Sequence, residues 1–230
     1  MNTTNKIFLL IIFAISISNT LIGQPLIGGH LGLNFSSLSG DKDNDETNLR
    51  IGVSPGLIVD FPLNHMLTIE TGVSFSMQGM QRTRIIKEDL SVFNTKTKYN
   101  LDYLVVPVYL KENFTNFYAK IGPYGAYLAN AQEKWETTEN TSGVITEKNG
   151  TNLEFQESLT PYDIGISIGF GYIHYFQNRR RRRSFRKRRT TRVMQVDLKY
   201  NLGLVSLNNP ELDMKNRVFS IGLSINQIID

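Results

Sequence analysis

YDIGISIGFGYIHYF, residues Tyr162 to Phe176, alternates large apolar side chains with small or polar ones almost to its end. Ile164, Ile166, Ile168, Phe170 and Tyr172 fall on one parity; Asp163, Gly165, Ser167, Gly169 and Gly171 fall on the other. A period of two makes a β-strand with two unlike faces. The same pattern recurs in both directions along the chain. It runs through Met66 to Met80, through Met194 to Leu204, and through Phe219 to Ile225. Weaker versions cover Leu31 to Phe35 and Ile51 to Phe61. Two further segments, Tyr99 to Lys111 and Phe117 to Ala131, are apolar on both faces for part of their length. These segments predict eight strands, several longer than the usual five or six residues. No stretch of helical period competes with them.

The less apolar face decides what kind of sheet this is. On a soluble sheet it would carry many Lys and Glu. Here it carries mostly Gly, Ser, Thr and Asn. Small polar side chains suit a crowded lumen, and large apolar ones suit lipid, so a barrel closed within a bilayer accounts for both faces at once. Connection lengths agree. Pro62 to His65 and Glu112 to Asn116 are short, whereas Ser39 to Leu49, Gln81 to Lys98 and Gln132 to Pro161 are long and polar. Short turns on the periplasmic side and long loops outside are the rule for outer-membrane barrels. The expected fold is therefore all-β: a single eight-stranded antiparallel up-and-down transmembrane β-barrel. Tyr99, Tyr118, Tyr162, Tyr172 and Tyr175, with Trp135 and Phe176, are expected near strand ends as interfacial aromatic girdles.

Residues 1–23 read as a removable export signal. Lys6 precedes the apolar run Ile7 to Ile17, and small and polar residues follow up to Gly23. That run is too short to span a bilayer as a helix. The barrel domain then occupies residues 24–230, with a basic turn at 177–191. Length fits one domain. The 230 residues include no cysteine, which excludes disulfides, a zinc-thiolate site, a cysteine nucleophile and a lipid-modified cysteine anchor.

The net charge of +4 conceals two parts. Arg179 to Arg183, Arg186 to Arg189 (with Lys187) and Arg192 contribute ten positive charges; without them the sum is 4 − 10 = −6. The body is mildly acidic and carries one basic segment.

Several stretches resemble a known family. They are GLNFSSL (32–38), LDYLVVPVYLK (101–111), FYAKIGPYGAYL (117–128), DIGISIGFGY (163–172), KYNLGLVSL (199–207) and KNRVFSIGLSI (215–225). Their order, over Gly28 to Ile225, resembles the small outer-membrane β-barrel domain family of Gram-negative bacteria, often labelled "porin family". The resemblance implies an OmpX- or OmpA-like eight-stranded barrel in the outer membrane, and it brings no agreed catalytic residues. The chain departs from that family in two ways. It ends on Ile228-Ile229-Asp230 rather than on an aromatic residue, and it has an arginine run where the family has a short turn.

The arginine run supplies the candidate contact site. By strand parity it lies on the periplasmic side. Arg179, Arg180, Arg181, Arg182, Arg183, Arg186, Lys187, Arg188 and Arg189 are candidates for contact with anionic lipid headgroups or an acidic periplasmic partner. The competing reading is a self-repelling insertion without a specific role. Nucleic acid is an unsuitable partner for an exported chain with only Phe185 available for stacking.

His30, His65 and His174 fall near periplasmic ends and far apart in sequence, which argues against a histidine-dependent hydrolase or acyltransferase. Glu70, Asp102, Lys120, Asp163, Asp197 and Lys199 are candidate lumen charges, expected to form a salt-bridged plug. The acidic stretch Asp41 to Glu46 lacks the central Gly and downstream Glu of a calcium loop. The expected protein is a non-enzymatic, monomeric barrel in contact with outer-membrane lipid, structural or adhesive, with a filled lumen and no cofactor or metal. The alternatives are a narrow pore for ions or small solutes and an outer-membrane lipid-modifying enzyme or protease.

Overall fold

The computed structural model describes residues 24–39, 46–88, 91–141, 144–152, 154–176, 192–207 and 214–228. The proposed export signal, the acidic stretch 41–45, the basic segment 177–191 and the last two residues lie outside the described residues.

Nine strands follow in order: β1 (Leu26–Ser39), β2 (Glu46–Pro62), β3 (Leu67–Glu88), β4 (Ser91–Phe114), β5 (Phe117–Thr141), β6 (Val144–Asn152), β7 (Tyr162–Phe176), β8 (Arg192–Ser206) and β9 (Lys215–Ile228). A 3-10 turn, Glu154–Ser158, separates β6 from β7. Eight strands form an antiparallel ring in which each pairs with its neighbours. β7 skips β6 to pair with β5, and β9 closes on β1 from Leu26↔Ile228 to Ser39↔Lys215. Closure leaves no edge within the ring, which a membrane demands because an unpaired backbone group has no water to bond.

Alternation sorts the side chains. Leu31, Ile164, Phe170 and Ile225 point outward and are each more than half exposed. They belong to a continuous apolar exterior with Leu57, Val73, Leu104, Val108, Ile121, Leu198 and Leu223. So large an exposed apolar surface is unstable in water and suits lipid.

Two short turns, around Leu63 to Met66 and at Thr115–Asn116, lie at the end where β1 begins and β9 finishes. Asn64 Oδ1 accepts from the backbone N–H groups of Met66 and Leu67 in the first. Thr115 adopts φ 52° in the second. β7 and β8 also meet at this end, with Phe176 opposite Arg192.

At the other end the structure corrects the expected long loops. β3, β4 and β5 have 22, 24 and 25 residues, against 14 in β1 and β9. Stretches expected as loops, 81–98 and 132–161, are largely strand. The ladder continues from Gln81↔Lys98 to Glu88↔Ser91, and β6 pairs with the outer part of β5. The result is a four-stranded extension of the barrel wall, β3–β4–β5–β6. It escaped a hydrophobicity reading because both its faces are largely polar, so no apolar alternation marks it.

Candidate functional site

The inner half of the lumen holds a chain of alternating charges contributed by separate strands. Lys111 Nζ of β4 donates to Asp60 Oδ2 of β2 at 2.9 Å and to Glu70 Oε2 of β3 at 2.9 Å. Lys120 Nζ of β5 donates to Glu70 Oε1 and to Asp197 Oδ2 of β8, each at 2.6 Å. All five side chains are almost fully buried. Gln195 and Asn226 also donate to Asp60 Oδ2, at 3.0 and 3.2 Å. Tyr118 donates to Asp197 Oδ2 at 3.2 Å, and its ring lies under Lys111 Nζ, 4.9 Å from the ring centre. Lys120 Nζ lies 4.9 Å from the Tyr109 ring centre. Oppositely charged, hydrogen-bonded neighbours compensate part of the cost of removing each group from water.

A second cluster adjoins this chain. Lys199 Nζ meets His30 Nε2 at 3.1 Å, and His30 Nδ1 meets Ser224 Oγ at 2.8 Å. An ammonium has only donors, so Nε2 accepts and Nδ1–H donates to the serine. His30 is thus an interior structural residue. His65 sits in the β2–β3 turn, and His174 lies on the outer face of β7 with its ring against Phe176.

Room for these large side chains comes from β7. The β5–β7 register sets Tyr118 opposite Gly171, Lys120 opposite Gly169 and Tyr124 opposite Gly165. A Cβ at Gly171 would meet the Tyr118 ring at 2.5 Å, and one at Gly165 would meet Tyr124 at 2.6 Å. The small positions of the Tyr162–Phe176 strand are therefore the space into which β5 packs.

Further out, hydroxyls and amides replace charges. Asn34 joins Ser76 and Ser220, and Asn216 and Tyr124 both donate to Asp163 Oδ2. The outer mouth is closed by an apolar layer of Leu38, Met80, Tyr99, Leu101, Leu128, Phe155, Leu159, Leu207 and Met214, among others. Phe155 comes from the 3-10 turn and packs on Tyr99, ring centres 5.5 Å apart. The strap is held where Leu128 N–H donates to Pro161 O and Thr160 N–H to Leu207 O. The inner end has its own apolar layer of Tyr118, Ile173 and Val193, with Leu26 against it.

Glu70, Lys120, Asp163, Asp197 and Lys199 thus lie in the lumen as expected. Asp102 does not. It sits on the opposite face from the buried Leu101 and Tyr103, accepts from Asn130, and approaches Arg50 at 3.7 Å. The arginine side chain also donates to the Gln78 carbonyl, beside Gly79 at φ 138°. Asp102 keeps the outward parity of Leu104, Val106 and Val108 on β4, whereas an extra residue, Ala129, between the partners of Asp102 and Tyr103 shifts the register on the β5 side. Two of the expected girdle residues, Tyr99 and Tyr118, are also interior; Tyr162, Tyr172 and Tyr175 are exposed. Sequence reading missed Asp60 and Lys111, which stand close to short turns where a charge passes for a loop residue. Of the basic candidates, Arg179 to Arg183 and Arg186 to Arg189 with Lys187 all lie outside the described residues.

The family profile described as outer membrane protein beta-barrel domain matches residues 23–209. No curated protein matches the chain. Similar solved structures include Ail, the attachment invasion locus protein of Yersinia pestis, at 13% identity, 89% coverage of this chain, 98% of that chain and a TM-score of 0.35. Neisserial surface protein A has 9% identity, 87% and 96% coverage and a TM-score of 0.37. OprG from Pseudomonas aeruginosa has 12% identity, 89% and 94% coverage and a TM-score of 0.25. The family match ends before β9, the strand that pairs with β1 and completes the ring. With its closed ring of strands and apolar exterior, the chain belongs to the outer membrane protein β-barrel domain family and is an outer-membrane protein.

Proposed function

We propose that the protein is a non-enzymatic membrane-anchored platform that carries a β-sheet outward to contact other surfaces. The observation that carries this reading is the extension of β3, β4, β5 and β6 beyond a ring whose interior is closed. β3 to β5 are eight to eleven residues longer than β1 and β9, which is about 30 Å along a strand. Trp135 rests its indole on Gly150 of β6, where a Cβ would meet the ring at 2.6 Å. It shares a face with Arg82, Thr97, Thr95 and Thr137, a mixture suited to recognition. Among the described residues, the charge chain and the buried His30 ring fill the inner half of the lumen with side chains.

Trimming the extension tests the proposal. Replacing 84–95 and 137–148 each by Asn-Gly keeps the ring, and the product is expected to retain heat-dependent gel mobility. Cells displaying it should lose attachment to surfaces that the full protein binds. The full barrel should also give no discrete steps in planar bilayers. Steady conductance would instead establish the narrow-pore reading, and unimpaired attachment would remove the platform.

We further propose that segment 177–191 contacts anionic headgroups of the inner leaflet. The flanking residues Phe176 and Arg192 pair at the turn-bearing end. Each basic group near an anionic surface contributes roughly 1 kcal/mol. Replacing the segment by a Gly-Ser linker should abolish salt-sensitive binding of inner-leaflet-like anionic vesicles by the detergent-folded protein. Unchanged binding would show the segment to be an inert insertion.

A further inference from the structure

The outward face of the β4–β5 pair sets two ammonium groups side by side at the foot of the extension. Lys98 and Lys134 are direct cross-strand partners, and Lys96 follows on the same face, opposite Glu136. Side chains so placed stand about 5 Å apart at Cβ, and like charges there are destabilising. All three lysines are exposed. Among the described residues none of them makes an ion pair within 4.0 Å. Glu136 is the carboxylate directly opposite a lysine of this group; by register Glu46 lies beyond Thr83, Asp102 lies below and Glu147 further out, so the three neighbouring lysines keep a local cationic excess.

The order of residues below the lysines gives the partner. Along the outward face of β4 come Leu110, Val108, Val106 and Leu104, then Asp102 and Asn100, then Lys98 and Lys96. Along β5 the exposed Ile121 and Tyr127 are followed by Asn130, Gln132 and Lys134. Tyr127 lies beside Tyr162 of β7, and both are more than half exposed, as interfacial aromatics are. Asp102 is matched by Arg50 and adds no free charge. Apolar, aromatic, neutral polar and cationic zones therefore succeed one another outward, in the order of acyl chain, interface and anionic headgroup. Flexible lysine stems can lean back along the wall to bring their charges to the headgroup layer.

We propose that Lys96, Lys98 and Lys134 bind the phosphorylated headgroup of an outer-leaflet glycolipid. A phosphate between Lys98 and Lys134 turns their mutual repulsion into a bidentate charge pair, and Lys96 supplies a third contact. The site depends on the extension pointing away from the cell, the same orientation as in the platform reading, but not on what the platform binds.

The test uses full-length protein folded in detergent, with segment 177–191 replaced by a Gly-Ser linker so that its arginines do not contribute. Bisphosphorylated lipid A and the same lipid stripped of phosphate are offered separately, and retained lipid is counted by native mass spectrometry. The phosphorylated lipid should be retained about tenfold or more over the stripped one. K96Q/K98Q/K134Q should erase that preference, and K96R/K98R/K134R should keep it. Equal retention of the two lipids by the unmutated face overturns the proposal, and this comparison needs no lysine variant to fold. A preference that survives in the glutamine variant also overturns it. So does an acidic peptide that displaces the phosphorylated lipid at equal concentration, because the face then selects a protein. Loss of surface attachment with the lipid preference intact would bear on the platform alone.

Discussion

Lys120→Met should lower the unfolding free energy of the detergent-folded barrel by about 3–5 kcal/mol. Its ammonium lies 2.6 Å from both Glu70 and Asp197, and the residue is buried. Methionine fills most of the volume but supplies no charge. Glu70 keeps Lys111, whereas Asp197 Oδ2 keeps the Tyr118 hydroxyl as its donor. Removing one partner of a buried pair costs more than removing both, because the surviving charge stays desolvated. Lys120→Met/Asp197→Leu should therefore recover part of the loss. The measurement is a urea titration read by gel mobility without boiling. A loss under about 1 kcal/mol would show that water or a neighbour replaces the ammonium, and the charge chain would not act as one closed unit.

Gly122→Ala should be about as damaging, and Gly125→Ala nearly neutral, although the two glycines lie three residues apart on β5. A Cβ at Gly122 would run into the Val108 carbonyl oxygen and stand 2.9 Å from Tyr109 Cα. Both obstacles are backbone of the paired strand β4, so relief requires the ladder itself to move. A loss of about 3 kcal/mol or more is expected. A Cβ at Gly125 meets nothing within 4 Å. Gly125→Ala should stay within about 0.5 kcal/mol of the parent. Equal midpoints for the two variants would refute the close approach at Gly122.

The eight-membered ring was legible because its cause is periodic. Every strand that crosses lipid must show an apolar outward parity, so Ile164 to Tyr172 and Phe219 to Ile225 announce themselves. The Tyr162 to Phe176 reading matches β7 end to end. The extension was not legible, because nothing distinguishes a polar strand in water from a polar loop until its partner is known. Lys98↔Lys134 and Trp135↔Gly150 are facts of register, and register needs both strands. Part of the lumen was legible as well. Glu70, Lys120, Asp197 and Lys199 stand on the inward parity of clear strands, whereas Lys111 and Asp60 stand near strand ends, where charge is ordinary.

By itself, then, the sequence determined the strand count of the ring and the sorting of its faces. Each of these follows from local alternation and connection length. Only the tertiary structure decided which charges meet, which of two similar glycines admits a methyl group, and where the wall continues past the membrane. Those are contacts between residues distant in sequence, up to 194 positions apart for His30 and Ser224. They depend on register, bulges and ring closure, none of which alternation along a single strand can specify.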